Sequence, residues 1–288
     1  FDQTKTVTNG KIYTLTEDMS GDQEINIDDL QWEYLNGDGD FRSAEITKLR
    51  DESDVIITNP PFSLYSEFLL WIMEAGKEFV IIGSMNAITY KEVFPFIMND
   101  KMWLGNGFQG GNAYFSSPFA EDYGEGVYYP ESGLVKFRNV NWFTNLDHGK
   151  RHQPLPLMTT GDNLKFSKHK EIRGKKTYDK YDNYDAIEVP FTDAIPSDYD
   201  GVMGVPVSFL DKYNPDQFRI LGTSDNGLID DRYKLTPGLT KEFVDDYYKA
   251  GGTGAYKEGN PTAGYYKNNI AKMAYKRIFI KHRREANK

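Results

Sequence analysis

The stretch Asp54-Val55-Ile56-Ile57-Thr58-Asn59-Pro60-Pro61-Phe62-Ser63 joins a predicted strand to a predicted helix. Residues 54–58 form a short continuous run rich in β-branched side chains, which is typical of a buried strand. The two prolines fix their own φ angles and keep Asn59 out of the helical region. Ser63 is predicted to cap the helix that follows, because its hydroxyl can accept a hydrogen bond from an amide of the first turn. The sequence therefore predicts a stiff turn at the end of a strand.

The alternation of strand and helix continues beyond this turn. Apolar residues at positions 64, 68, 72 and 75 recur at helical spacing, and Gly76 is predicted to end the helix. Residues 79–83 have the pattern of a second buried strand, and residues 90–99 that of a further helix. This order predicts the α/β fold class, with a Rossmann-like parallel sheet and right-handed crossovers. Ligands bind such sheets beyond the carboxyl ends of the strands, which is where Asn59 lies.

The pattern changes in the second half of the chain. From about residue 105 it is rich in Gly, Asn and aromatic residues, with short β-like runs at 134–137 and 140–144. Beyond residue 150 it is mixed and rich in loops. We therefore predict two regions, residues 1–150 and residues 151–288.

Composition excludes several kinds of site. The 288 residues contain no cysteine, which rules out disulfides, thiolate zinc ligands and thiol nucleophiles and fits a reducing cytoplasm. The chain contains only four histidines, so no metal centre is expected. No apolar run is long enough to span a membrane, and no secretory signal is found. Because the chain begins with Phe1 rather than Met, we expect that a segment upstream is missing.

Charge is distributed unevenly along the chain. The net charge of −9 argues against nucleic acid, and residues 17–54 are rich in Asp and Glu. Basic residues nevertheless gather later, and such clusters indicate either a solvated surface or a face that meets a polyanion. These clusters comprise Lys150, Arg151 and His152; Lys165, Lys168, Lys170, Arg173, Lys175 and Lys176; and Lys276, Arg277, Lys281, Arg283 and Arg284.

The turn at Asn59 has a chemistry of its own. It presents the Asn59 side-chain oxygen and the Pro60 carbonyl as two acceptors held close together. Two acceptors on the hydrogens of a planar exocyclic amine favour a pyramidal nitrogen with a localised lone pair, which can attack a sulfonium methyl group in line. Phe62 supplies a flat face on which an extruded base can stack. The same four residues also fit a stiff turn without a catalytic role.

Further motifs resemble those of the EcoRI-type adenine-specific methyltransferase family, from about residue 38 to residue 280. In this family, as in other amino-methyltransferases of nucleic acids, Asn-Pro-Pro-Phe is the catalytic motif, and Asn with Phe favours adenine. The matching segments are Gly39-Asp40-Phe41-Arg42-Ser43, Thr58-Asn59-Pro60-Pro61-Phe62-Ser63, residues 81–92, Trp103-Leu104-Gly105, Trp142-Phe143-Thr144-Asn145-Leu146, residues 204–218 and Arg277-Ile278-Phe279-Ile280.

The resemblance implies a class I methyltransferase domain in residues 1–150 and a target-recognition region in residues 151–288. It implies S-adenosylmethionine as the cofactor, with Asp40 and Phe41 holding its adenine ring and Asn59 beside it. The catalytic residues would be Asn59, Pro60, Pro61 and Phe62. The partner would be double-stranded DNA, with a cognate restriction endonuclease, and the protein would be a monomer.

Candidate DNA contacts follow from the basic clusters. Lys150, Arg151 and His152 are predicted to meet phosphates, and the segment containing Lys165, Lys168, Lys170 and Arg173 is predicted to be a groove-facing loop. Asn86 and Lys91 lie in a matching segment without an evident chemical role, and Asn86 is predicted to cap a helix.

One family feature is not found in the sequence. The cofactor fingerprint, an acidic or aromatic residue followed by Gly-x-Gly after the first strand, does not occur, because Gly37-Asp38-Gly39 lies too near the Asn59 strand. We expect it N-terminal to Phe1. Two alternatives therefore stay open: a methyltransferase acting on RNA or on protein glutamine, and a non-catalytic DNA-binding relic of the fold.

Overall fold

The computed structural model describes residues 3–106, 112–230 and 238–283. The chain divides into two compact units. One combines Phe1–Ile57 with Glu67–Phe79, and the other combines Thr58–Ser66 with Val80–Lys288. The boundary near residue 150 stays a prediction.

The helices are short. Among the described residues none has the length and apolar character needed to cross a membrane. The helices are α1 Gln3–Thr8, α2 Ala44–Glu52, α3 Tyr65–Glu74, α4 Phe94–Met98, α5 Thr160–Phe166 and α6 Lys241–Lys249.

The strands are distributed over several small sheets, so the chain is a mixed α/β protein. They are β1 Lys11–Thr14, β2 Gln31–Tyr34, β3 Val55–Thr58, β4 Glu78–Ser84, β5 Trp103–Leu104, β6 Asn112–Ser116, β7 Tyr128–Tyr129, β8 Leu134–Arg138, β9 Val140–Thr144, β10 Ala186–Glu188, β11 Val202–Pro206, β12 Phe218–Thr223, β13 Gly264–Lys267, β14 Ile270–Met273 and β15 Arg277–His282.

The sheet that carries Asn59 has the strand order β3-β4-β9-β5. Strand β9 is antiparallel to both β4 and β5, so this sheet is not wholly parallel as predicted. Two parallel neighbouring strands need a crossover connection, which is usually a helix. The chain between β5 and β9 instead forms the β6-β8-β7 sheet, and β9 pairs antiparallel with β5. The predicted strands at 79–83 and 140–144 are confirmed.

Strand β3 lies at the expected residues but is not buried. Val55 is 38% exposed and Ile57 is 71% exposed, and side chains two residues apart share one face of a strand. The face that Val55 and Ile57 share is thus exposed among the described residues. The prediction of a buried strand was wrong in that respect.

Helix α3 is preceded by a 3₁₀ turn at Phe62–Leu64, and Ser63 lies inside that turn. The predicted Ser63 cap was therefore wrong. Pro61 occupies the cap position, and its φ of −56° suits the start of a helical turn. Gly76, with a φ of +64°, follows the end of α3 as predicted.

The predicted helix at 90–99 is shorter in the structure, where α4 begins at Phe94. Residues Met85–Thr89 instead form a 3₁₀ helix whose cap is Ser84, because the Ser84 hydroxyl accepts a hydrogen bond from the Asn86 amide. Asn86 is thus not the cap. Pro95 is tolerated in the first turn of α4, where its missing N–H has no intrahelical partner to bond.

The sheet β10-β11-β15-β12 forms the core of the C-terminal part. Ile278, Phe279 and Ile280 on β15 are fully buried. Beside them the Arg277 guanidinium donates to the Glu188 carboxylate at 2.6 Å, and both side chains are nearly excluded from solvent. A buried ion pair of this kind is costly to break from one side.

Candidate active site

The corner after β3 keeps its two acceptors available. Asn59 is exposed while Pro60 is buried. The Pro61 carbonyl accepts a hydrogen bond from the Leu64 amide at 3.0 Å, which holds the corner against the 3₁₀ turn. The Asn59 side chain and the Pro60 carbonyl make no hydrogen bond to a described residue. Both oxygens can therefore accept from a bound molecule.

A cavity of about 530 Å³ lies in front of this corner. Its size is within the range of small-ligand pockets, roughly 300–1,000 Å³. Its walls combine the four residues of the motif with apolar side chains from β4, β6, β8 and β9. The lining residues are Asn59, Pro60, Pro61, Phe62, Ile82, Phe115, Phe137 and Val140.

Three aromatic rings give this cavity its character. Phe62 is 45% exposed, and Phe115 and Phe137 are each 40% exposed. The Phe115 and Phe137 rings meet edge to face, with centroids 5.6 Å apart. Apolar side chains gain stability when they are buried. These partly exposed rings therefore suit a flat ligand that stacks against them.

Phe115 and Phe137 share one face of the β6-β8-β7 sheet. In its register Ala113 pairs with Phe137 and Phe115 pairs with Val135. Tyr114 lies on the opposite face, where the Lys136 ammonium stands 5.5 Å from its ring centroid. Neither phenylalanine was identified from the sequence as a site residue. The only signal in the sequence was the position of each within a short β-like run.

The corner is backed by Tyr65, the first residue of α3. Its ring is 2% exposed and lies 5.4 Å from the Phe143 ring, measured between centroids. Burial raises the pKa of the Tyr65 hydroxyl, so that group stays neutral. The hydroxyl has no hydrogen-bond partner among the described residues. Tyr65 thus anchors the start of α3 by packing against Phe143.

Asp40 and Phe41 belong to the other unit. The Asp40 carboxylate accepts from Arg42 Nε at 2.9 Å and Nη2 at 2.6 Å, and Arg42 lowers the pKa of Asp40 to about 2. The Phe41 ring meets the Phe68 and Trp71 rings edge to face, with centroids 5.1 and 5.5 Å away. A carboxylate offers about four acceptor sites, so Asp40 retains capacity for an amino group. The Asp40 side chain is partly exposed, and the Phe41 ring is half-buried.

The first basic cluster is engaged within the protein. Lys150 pairs with Asp211 at 2.7 Å. The Arg151 guanidinium lies 3.7 Å from the Trp103 ring centroid, and its side chain is only 11% exposed. His152 forms hydrogen bonds with Asp147 and Asp216. These bonds raise the pKa of His152, and the bond with Asp147 has the larger effect.

The second cluster is more open. Lys165, Lys168, Lys170 and Arg173 are all exposed. Lys168 pairs with Asp193 at 2.7 Å, and the Lys165 ammonium lies 4.9 Å from the Phe166 ring centroid. Lys170 and Arg173 have no ion pair with a described residue.

The third cluster is mostly paired. Lys276 contacts Asp225, Arg277 contacts Glu188 and Arg283 contacts Asp100. Arg284 lies outside the described residues. Among the described residues of the three clusters, the second therefore offers most unpaired positive charge.

A group of acidic side chains lies near the N-terminus. The carboxylates of Asp18, Asp22 and Asp29 lie within 4.8 Å of one another. Asp29 accepts from the amides of Met19, Ser20 and Asn26, and Asp18 accepts from those of Gly21 and Gln23. These acceptors stabilise the loop itself.

Comparison with known proteins defines the family. A sequence model described as "Adenine-specific methyltransferase EcoRI" matches residues 1–283. The chain belongs to this family. The resemblance inferred from the motifs is thereby confirmed.

Curated relatives carry related names. The chain is 40% identical over 224 residues to "Type II methyltransferase M.EcoRI" of Escherichia coli, over 77% of this chain and 65% of that protein. It is 35% identical over 196 residues to "Type II methyltransferase M.MgeORF184P" of Mycoplasma genitalium, over 65% of this chain and 57% of that protein. It is 34% identical to "Type II methyltransferase M.MpnI" of Mycoplasma pneumoniae over the same shares.

The matches thus span less than two-thirds of the length of each of these relatives. No solved structure matches the chain.

Proposed function

We propose that this chain is the catalytic and target-recognising part of a site-specific DNA adenine methyltransferase that uses S-adenosylmethionine. The observation that carries the proposal is the pair of unengaged acceptors, on Asn59 and Pro60, at a cavity lined by three phenylalanines. Membership of the adenine-specific methyltransferase family supports it. So do the relatives, whose names state a Type II methyltransferase.

In this proposal a flipped adenine enters the cavity and stacks on Phe62, with the rings of Phe115 and Phe137 forming the wall beside it. The Asn59 side-chain oxygen and the Pro60 carbonyl each accept one hydrogen of the N6 amine. Its lone pair then forms the new nitrogen–carbon bond while the sulfur–methyl bond breaks with its electrons left on sulfur. The extra proton leaves the nitrogen for water afterwards. Orientation and preorganised dipoles supply the rate, without a general base.

S-adenosylmethionine, when bound, supplies a methyl group on a positively charged sulfur. Asp40 would accept a hydrogen bond from the amino group of its adenine, and Phe41 would pack on that ring. Asn59 would lie beside the transferred methyl group. The low pKa of Asp40 keeps this acceptor ionised at neutral pH.

The remaining assignments extend the same proposal. Residues 1–150 would form the class I methyltransferase domain with its Rossmann-like sheet, and residues 151–288 the target-recognition region. The partner is double-stranded DNA, and the Type II names of the relatives support a cognate restriction endonuclease. The exposed Lys165, Lys170 and Arg173 support a phosphate-facing loop. We propose a monomer.

Transfer of a labelled methyl group tests this function. The full-length protein is incubated with methyl-labelled S-adenosylmethionine and either duplex DNA or RNA, and the labelled nucleoside is identified after digestion. We expect label in DNA as N6-methyladenine. Label confined to RNA, or to protein glutamine, would contradict the proposal.

A further inference from the structure

A second cavity, a cleft of about 560 Å³, opens beside β9. Asparagine side chains are its main feature, and hydroxyl groups and two lysines join them. The residues of interest are Asn86, Asn139, Asn141, Ser208, Lys212 and Lys276. Amides of this kind match the donor and acceptor pattern of nucleic-acid bases, adenine above all.

Asn141 is the most constrained of these side chains. It is 2% exposed, and its oxygen accepts a hydrogen bond from the Trp142 amide at 2.9 Å. Its Nδ2 group has no partner among the described residues. Because Asn141 lines the cleft, this group can donate a hydrogen bond to an acceptor placed there.

Asn86 and Asn139 complete the amide wall. Asn86 is exposed, and its side chain makes no hydrogen bond to a described residue. Asn139 has a φ of +60° at the junction of β8 and β9, and its Nδ2 reaches Ser84 Oγ at 3.4 Å. The free amide of Asn86 is thus available to a ligand.

The charges of the cleft suit a phosphate backbone. Lys212 is exposed and has no ion pair with a described residue. Lys276 pairs with Asp225 at 2.8 Å, and the lining carboxylate of Asp211 is already paired with Lys150. Tyr275, which is 73% exposed, adds an aromatic face.

The cleft begins one residue from the cavity in front of Asn59. Val140 lines that cavity, whereas Asn139 and Asn141 on either side of it line the cleft. Consecutive residues are about 3.8 Å apart. Both sites also lie near the carboxyl end of β4, because Ile82 of that strand lines the cavity and Met85 and Asn86, directly after it, line the cleft. Ligands of the two sites are therefore close neighbours.

We infer that the cleft binds the nucleotides adjoining the target adenine and reads their base edges. Asn86, Asn139 and Asn141 contact the bases, and Lys212 contacts a phosphate. This inference rests on the proposed function, because it needs an adenine in the adjacent cavity.

Sequence profiling of full-length protein tests the inference. Parent and variants methylate a duplex library randomised around adenine, and N6-methyladenine is located by sequencing. Asn86→Ala and Asn139→Gly remove two amides, and glycine preserves the left-handed backbone at position 139. We expect discrimination at base pairs adjoining the adenine to fall about 5- to 150-fold, the range for a bidentate base contact. Asn99→Ala, at an exposed asparagine after α4, is the control.

Lys212→Gln provides an independent measurement. We expect weaker binding to all sequences alike and a salt-dependence slope reduced by about 1, as for loss of one phosphate contact. Lys272→Gln, at an exposed lysine of β14, is the matched control and should leave the slope unchanged.

Unchanged base preferences in both asparagine variants, with an unchanged slope for Lys212→Gln, would overturn the inference. A parent that methylates no DNA would instead overturn the proposed function. In that case, base preference would be measured by sequencing the library DNA that the protein binds. Altered preferences in the asparagine variants would then support the inference, and unchanged preferences would overturn it. A parent that binds no DNA would overturn both.

Discussion

The ring of Tyr65 lies directly against the backbone of Gly83 near the end of β4. A Cβ atom built on Gly83 would stand 2.4 Å from Tyr65 Cε2 and 2.9 Å from Phe143 Cε2. Both rings are buried, so neither has room to yield. The absence of a side chain at Gly83 thus allows Tyr65 to pack between the end of β4 and Phe143.

Gly83→Ala is therefore expected to lower the free energy of unfolding by about 1–3 kcal/mol, the usual cost of overpacking a core. Urea or thermal unfolding measures it. Gly149→Ala is the control, since a Cβ there meets nothing within 4 Å. Equal stability of the two variants would contradict the packing described.

Phe137→Ala should weaken methyl transfer by removing one wall of the cavity. Base–aromatic stacking contributes about 1–3 kcal/mol, which corresponds to roughly 5- to 150-fold in kcat/KM. Tyr114→Ala, on the opposite face of the same small sheet, should leave transfer near the parent's level. Equal losses in both variants would instead indicate an effect on the sheet.

The pKa of His152 is expected above the ordinary value of about 6.5, because Asp147 and then Asp216 stabilise its protonated form. Its contribution to stability is therefore fully present below the unfolded pKa and is lost as the pH rises through the folded pKa. NMR titration of the imidazole measures this. Asp147→Asn should bring the pKa down, and a parent value at or below the ordinary one would refute the contact.

Arg277→Met should lower the free energy of unfolding by about 3–5 kcal/mol, because it leaves the buried Glu188 carboxylate without its cation. Denaturant unfolding measures the loss. Arg173→Met, which changes an exposed arginine, should have little effect. A small loss in Arg277→Met would show that Glu188 finds another partner.

Local pattern predicted the secondary structure around Asn59 well. The strands at 55–58 and 78–84, the helix between them and its end at Gly76 all follow from spacing and backbone chemistry. The exposure of Ile57 and the antiparallel course of β9 were not predictable, because both depend on which strands become neighbours. Ser63 does not occupy the cap position, because a 3₁₀ turn begins directly after Pro61 and contains Ser63.

The candidate site was predictable only where its residues are contiguous. The Asn59–Phe62 motif and the Asp40–Phe41 segment were found from the sequence. Phe115 and Phe137 reach the cavity through the register of β6 with β8, which no local pattern reveals. Lys150 and Arg151 seemed available to DNA, but Asp211 and Trp103, distant in sequence, engage them.

The exchange Asn59→Ala tests the central claim most directly. Methyl transfer from labelled S-adenosylmethionine to duplex DNA is compared between the full-length parent and this variant, with circular dichroism to verify that each is folded. Since Asn59 is exposed at the end of a strand, we expect an intact fold and abolished transfer. Transfer by the folded variant close to the parent's rate would contradict the role assigned to the Asn59 corner.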